Sequence, residues 1–282
     1  MAALLASKKF DVTVLSRSST NAFLPEVKVA EVNYDEPKSL EQALKGQDAL
    51  VCTLSFEAIP SQRFLIDAAI ASGVKRFIPS EFGSNIRNEK TRKLPAYQSR
   101  VDIQNYLHEK SLGTELTYTI VNCGYILDYG LPRGSIFDLK THTARIADGG
   151  NTIFSASRLE TVANAVAGLL QHPDETANRS VFVQDIATTQ RNLISMAEKF
   201  TPGSKWKFED FNTASWVARS DDAIAQGASP AEFLVRIAYI ARSIWGEDYG
   251  SHFEDLDNDL FGIKGMTEEE LEAMVNQITG SS

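Results

Sequence analysis

The chain has 282 residues, a formal net charge of −9, two cysteines and 43% hydrophobic residues. That length holds one large α/β domain with appendages, or two small domains sharing an interface. The acidic balance gives no electrostatic footprint for nucleic acid or anionic membranes, and no apolar run reaches the roughly 18 residues a membrane span needs. Cys52 and Cys123 lie inside apolar runs, where a thiol packs as a small hydrophobe. They suggest neither a disulfide framework nor a zinc site. Met1 to Ala6 has no leading basic stretch and meets Lys8-Lys9 too early for a signal peptide. The expectation is a soluble, reduced, cytoplasmic protein.

Along the first half, two kinds of segment alternate. Phe10 to Leu15, Val27 to Val32, Ala49 to Leu54, Arg76 to Ile78 and Leu116 to Val121 are short apolar runs. Near-continuous apolar character over so few residues fits strands buried on both faces of a parallel sheet. Between them lie helical patterns at Ser39 to Leu44, Phe64 to Ile70 and about Ala96 to Lys110. Gly46, Gly73 and Gly113 follow them as C-cap signals. Strand, helix, strand in that rhythm means right-handed βαβ units and a doubly wound sheet.

The second half changes character. Thr143 to Ser155 reads as a hairpin, with Asp148-Gly149-Gly150-Asn151 tolerating positive φ. A helix is expected from about Leu159 to Leu170, then a strand at Ser180 to Val183. From Arg191 helices dominate, interrupted by Pro202-Gly203 and a short Trp206-Lys207-Phe208 stretch; Leu234 to Trp245 and Glu268 to Ile278 are the last of them. The expected fold is α/β, a doubly wound parallel sheet of Rossmann type. Residues 1–140 would be its dinucleotide domain and residues 141–282 a smaller, mostly helical substrate region sharing the same body.

A Rossmann domain opens with a strand, a glycine loop and a helix whose N-terminus stabilises the pyrophosphate. Here Met1 to Lys9 reads as the tail of that helix, and no G-x-G-x-x-G or P-loop occurs in the chain. The expectation is a chain that starts after the glycine loop. Losing a central strand would leave unpaired backbone groups, each costing roughly 1–3 kcal/mol if buried.

Val12-Thr13-Val14-Leu15-Ser16-Arg17-Ser18 resembles the second-strand end of NADP-dependent proteins of the NmrA-like and isoflavone reductase-like family. A guanidinium pairs with a 2′-phosphate, whereas an acidic residue would accept from a ribose 2′-OH. Ser16-Arg17 without Asp or Glu therefore favours NADP(H). Thr53-Leu54-Ser55-Phe56 closes the next strand, at the carboxyl edge where open α/β sheets bind ligands; in the family this turn lies along the cofactor. The most specific match is Ile78-Pro79-Ser80-Glu81-Phe82-Gly83, which resembles the family signature almost letter for letter. The resemblance implies Phe82 against the nicotinamide with Ser80 beside it, an aromatic face being able to exclude water there.

Family reductases carry a lysine on the next helix, as general base or carbonyl polariser. Aligning Val101 to Leu107 with that helix puts Arg100 at the lysine's place. Arginine stays protonated, so it can hold an anionic oxygen but cannot take a proton. Tyr97, three residues earlier, is the candidate donor to a carbonyl. Downstream, the resemblance adds Asn122, at a strand end, to the cofactor contacts, and Tyr125, Tyr129 and Leu131 resemble an aromatic, apolar substrate lining. The four histidines are scattered without metal-ligand spacing, so no metal is expected. Two functional expectations follow. One is an NADPH-dependent reductase of a small aromatic or conjugated carbonyl compound, with Arg100 and Tyr97 stabilising developing negative charge. The other is a non-catalytic, NADP-sensing regulator with a protein partner, which the loss of the lysine favours.

Overall fold

The structure is a computed structural model that describes residues 1–18 and 24–280. The first elements are α1 (Ala2–Ser7), β1 (Thr13–Ser16), β2 (Lys28–Glu31), α2 (Pro37–Leu44), β3 (Ala49–Val51), α3 (Gln62–Ala71), β4 (Arg76–Ile78), α4 (Glu89–Arg92), α5 (Gln98–Ser111) and β5 (Thr117–Asn122). Then come β6 (Tyr125–Ile126), α6 (Leu127–Gly130), β7 (Phe137–Asp138), β8 (Thr143–Ala147), β9 (Phe154–Ser157), α7 (Leu159–Leu169), β10 (Arg179–Phe182), β11 (Ile186–Thr188) and α8 (Gln190–Phe200). The chain ends with β12 (Lys207–Phe211), α9 (Thr213–Ala225), α10 (Phe233–Trp245) and α11 (Glu268–Gly280). It divides into two compact units. The first comprises Met1–Glu81, Ser99–Val121 and Ala163–Val181; the second comprises Phe82–Gln98, Asn122–Val162 and Phe182–Ser282.

The first unit is built on parallel strands. β1 and β2 form one parallel ladder, with Thr13 opposite Lys28 and Ser16 opposite Glu31. A second sheet runs in the order β10-β5-β4-β3, with β3–β4 and β4–β5 parallel. Among the described residues no ladder joins β1 to β3. The expected helices fill the crossovers, and Gly46, Gly73 and Gly113 adopt the left-handed φ that helix ends require. Leu40, Leu44, Leu65, Ile66, Phe77, Ile103 and Leu107 form its core. Each such side chain, fully buried, contributes roughly 1.5–3 kcal/mol.

One buried cation ties this sheet together. Arg76 of β4 is 6% exposed and donates to Thr117 Oγ1 (2.9 Å), Thr119 Oγ1 (2.7 Å), Thr176 Oγ1 (2.9 Å) and the Pro173 carbonyl. Burial pushes its pKa down, and the four neutral acceptors are what make a desolvated guanidinium tolerable.

The second unit carries two three-stranded sheets, in the orders β11-β9-β6 and β12-β8-β7, packed with helices around Leu127, Phe137, Phe154, Leu193, Trp245 and Leu271. The expected hairpin at 143–155 is not formed. β8 pairs parallel with β12 and antiparallel with β7, whereas β9 pairs antiparallel with β11 and parallel with β6. The turn itself exists, for Asp148, Gly149 and Gly150 all have positive φ. It is held outward, not folded back. Asp148 Oδ1 accepts from the Thr213 amide at 2.9 Å, at the start of α9, and the Gly150 carbonyl accepts from the Arg191 amide at 3.1 Å.

Candidate functional site

In the first unit, three expected segments lie at the carboxyl ends of parallel strands, where chain direction turns the backbone outward. At the end of β1, the Ser16 hydroxyl donates to the Ser18 carbonyl (2.8 Å) and accepts from the Ser18 amide (3.3 Å). That local turn leaves Arg17 exposed. No carboxylate occupies positions 16 to 18.

After β3, Thr53 and Ser55 are exposed while Leu54 and Phe56 are half-buried. This turn is joined to the one after β4. The Leu54 amide donates to Ser80 Oγ (3.0 Å), and Ser80 Oγ donates back to the Leu54 carbonyl (3.1 Å). The Ser80 amide donates to Gln62 Oε1 (2.8 Å), and Gln62 Nε2 donates to the Ile59 carbonyl (3.2 Å). Ser80, 6% exposed, thus spends its hydroxyl on backbone. Gln62, with no exposure at all, is a polar positioning residue that sequence reasoning missed; a lone glutamine opening an apolar helix was the only signal. Following Pro79, the Glu81 amide closes a tight turn on the Pro79 carbonyl (2.8 Å).

Arg100 stands near the start of α5. Its Nε lies 3.7 Å from Glu81 Oε2, with side-chain exposures of 17% and 5%. Gln104 Nε2, one turn on, donates to Glu81 Oε1 at 3.2 Å. The guanidinium carbon sits 5.1 Å from the centre of the Phe56 ring, inside cation–π range. Arg100, Glu81 and Phe56, from three different segments, are therefore brought together. Sequence reasoning singled out Arg100 and Phe56 and missed that Glu81 is the charge partner of Arg100.

In the second unit, Phe82 is half-buried with φ 40, a left-handed conformation that phenylalanine rarely adopts. Such strain is held only where surroundings over-determine it. Gly83 forms a parallel bridge with Asn122, and its carbonyl accepts from the Cys123 (3.2 Å) and Gly124 (3.1 Å) amides. Asn122 is 2% exposed, and its carbonyl accepts from the Val183 amide at 3.0 Å. Tyr97, 2% exposed, lies in a 3-10 turn (Pro95–Tyr97) before α5. Its hydroxyl is 2.9 Å from Ser84 Oγ and 2.7 Å from Ser243 Oγ, which are themselves 2.9 Å apart. Ser243, on α10, was also missed.

The expected substrate residues fall in different environments. Tyr125 is 7% exposed, hydrogen-bonded to Ser135 and edge-on to Phe154 with ring centres 5.7 Å apart. Burial pushes its phenol pKa well above the ordinary range. Tyr129 is 52% exposed, with the Arg133 guanidinium 3.8 Å from its ring centre. Leu131 is 1% exposed and contributes to a large cavity within this unit. Among the described residues no cluster of side chains could hold a metal ion, and no helix is long and apolar enough to cross a membrane.

Comparison with known proteins gives this arrangement a family. The model of the NmrA-like family matches residues 1–201. Oxidoreductase aprR of Aspergillus flavus is 33% identical over 210 residues, covering 73% of this chain and 70% of its own. Oxidoreductase poxI of Penicillium oxalicum is 29% identical over 287 residues, covering 98% and 89%. Among solved structures, AtPrR2 with NADP+ and (+)pinoresinol superposes with a TM-score of 0.76 at 20% identity, over 98% of this chain and 93% of that one. Leucoanthocyanidin reductase from Vitis vinifera, in a ternary complex, gives 0.74 at 18%, over 99% and 93%. The fold is thus the Rossmann-type α/β fold expected from the strand–helix rhythm, and the chain belongs to the NmrA-like family.

Proposed function

We propose that this protein is an NADPH-dependent reductase acting on a small aromatic or conjugated carbonyl compound. The observation that carries the cofactor choice is Arg17, exposed at the carboxyl end of β1 with no acidic residue at positions 16 to 18. A guanidinium there suits a 2′-phosphate, and the Ser16 turn that shapes the loop fits close approach of an anion. The exposed backbone of Thr53 and Ser55, pinned through Ser80, is suited to run along the rest of the nucleotide. NADPH, when bound, supplies the hydride. Arg100 supplies a permanent positive charge for an oxygen that becomes anionic, oriented by Glu81 and by the Phe56 face. Because arginine keeps its proton, the proton that completes the reduction comes from a group other than Arg100. The relatives named oxidoreductases, and the likeness to a fold seen with NADP+ and (+)pinoresinol, support this reading.

Titration with NADPH and NADH tests it. NADPH should bind more tightly, and Arg17→Glu should remove that preference, a loss of about 1.5–3 kcal/mol, or roughly ten- to hundredfold. Equal binding of the two cofactors, or a preference untouched by Arg17→Glu, refutes the cofactor assignment.

A second reading has its own observation. The carboxylate beside Arg100 partly neutralises the charge that would polarise a carbonyl. That favours an NADP-sensing regulator with a protein partner. Cofactor binding with no NADPH oxidation across aromatic and conjugated carbonyl compounds, and capture of a defined partner, would select it; turnover of any such compound would eliminate it.

A further inference from the structure

The second unit contains a cavity of about 1010 Å³, to which Leu131 is the one expected substrate residue that contributes. It is as large as the ligand sites that hold drug-sized molecules. Its apolar surface comes from Leu131, Phe137 and Leu139 on one side and from Met274 and Ile278 of α11 on the other. Three carboxylates and three cations also line it, so the bare count is neutral. Their hydrogen bonds are not.

Each carboxylate is committed to the protein. Asp128 accepts from the Leu159 amide at the start of α7, at 3.0 and 3.2 Å to its two oxygens. Asp138 accepts from the Lys140 amide (2.8 Å) and the Thr141 amide (3.4 Å), which close the turn after β7. Glu209 of β12 pairs with Lys207 and lies 3.8 Å from Arg145 Nε. Of the cations, Arg145 is occupied by that contact. Arg133 uses one terminal nitrogen on the Tyr129 carbonyl (2.9 Å) and stacks on the Tyr129 ring, leaving further N–H donors. Lys140 is exposed, and its ammonium makes no hydrogen bond or ion pair among the described residues. The lining charges therefore sum to zero, but the hydrogen-bond donors left over belong to the cations Lys140 and Arg133, and they border a partly apolar hollow.

We propose that this cavity binds an amphipathic monocarboxylate, an acyl or arylalkyl acid, with its carboxylate on Lys140 and Arg133 and its apolar body between the Leu131–Leu139 segment and α11. The chain's net charge of −9 repels anions at long range, so recognition depends on these two local cations and weakens with salt. The cavity shares only Leu131 with the expected substrate lining, and no nicotinamide cofactor enters its test.

The test uses the full chain in calorimetric titrations with 4-phenylbutanoate and with its neutral counterpart 4-phenylbutan-1-ol. The acid should bind about tenfold more tightly than the alcohol. Lys140→Glu, at an exposed position, should remove that advantage, weakening the acid about tenfold with little effect on the alcohol. Met274→Asp should weaken both probes. Circular-dichroism melts of each variant against the parent establish that the fold is retained. Equal affinity for acid and alcohol, an acid affinity unchanged by Lys140→Glu, or no heat from either probe at its highest soluble concentration overturns the proposal.

Discussion

Tyr97→Phe separates a structural hydroxyl from a catalytic one. The Tyr97, Ser84 and Ser243 hydroxyls form a triangle with sides of 2.7, 2.9 and 2.9 Å, and Ser243 also donates to the Ile240 carbonyl at 2.8 Å. Three hydroxyl protons serve these contacts, and Ser243 spends its own on Ile240, so the Tyr97 and Ser84 protons hold the triangle. Without the phenolic oxygen Ser84 still donates to Ser243, and the net loss is one hydrogen bond. At about 0.5–1.5 kcal/mol net per neutral hydrogen bond, that is the expected cost. A chain of this size should then melt roughly 1–5 °C lower. Urea denaturation followed by circular dichroism measures the change, and Ser243→Ala completes a double-mutant cycle. Because both residues share the triangle, the double variant should lose less than the sum of the single losses, by about 0.5–1.5 kcal/mol. Two results would refute the reasoning. Additive losses would mean that the hydroxyls are not coupled. An unchanged urea midpoint together with a large fall in turnover would make Tyr97 a proton donor in the chemistry instead of the group that fixes the segment carrying Phe82.

Gly124→Ala should destabilise the second unit by about 2 kcal/mol or more, since Gly124 has φ 65 and a Cβ there would overlap the Ser155 carbonyl oxygen; a urea midpoint within error of the parent would count against the packing described. Cys52 (3% exposed, its thiol pKa raised by burial) and Cys123 (0% exposed) should resist a thiol reagent in the native protein and both react in denaturant; stoichiometric labelling of either in the folded state would contradict their burial. The Tyr125 and Tyr239 phenols are held above their ordinary pKa by burial, and Tyr239 also by its bond to Asp221. A raised folded pKa contributes stability that is complete below the unfolded value of about 10 and lost as pH rises above it. Alkaline titration should therefore show phenolate absorbance from these two residues only as the protein unfolds, and early ionisation of all eight tyrosines would overturn it.

What could be read from sequence was what local physics decides. Short apolar runs located β1 to β5 within a few residues, and the glycines after the helices adopt the φ that made them stop signals. The burial on both faces expected of them holds throughout only for β4; β2 has Lys28 and Glu31 exposed, because it pairs only with β1 among the described residues. The turn at Asp148 was also legible. The pairing of the strands on either side of it was not, because β8 finds its partner in β12, more than sixty residues away, and nothing local encodes that choice. The local geometry at Tyr97 was legible only in outline. Three residues before Arg100 is one turn of an α-helix, but Pro95 starts a 3-10 turn and the helix begins only at Gln98. Gln62 and Ser243 belong to no motif; each is a polar group in a largely apolar helix, meaningful only once the backbone groups and hydroxyls it meets are known.

The charge pair at Arg100 limits the chemistry more than the fold does. A lysine at this place could serve as a base, since burial can bring an ammonium pKa towards neutrality; an arginine cannot. The Glu81 carboxylate, 5% exposed and also held by Gln104, adds a second constraint by drawing off part of the positive charge. An oxygen that builds a full negative charge would therefore be stabilised less by this pair than by a free cation. A conjugated acceptor spreads its charge over several atoms and asks less of the site, needing a directional donor more than a strong one. The planar guanidinium, fixed between a carboxylate and the Phe56 ring, is such a donor. On the proposed reading, the pair therefore penalises a conjugated or aromatic acceptor less than an isolated carbonyl.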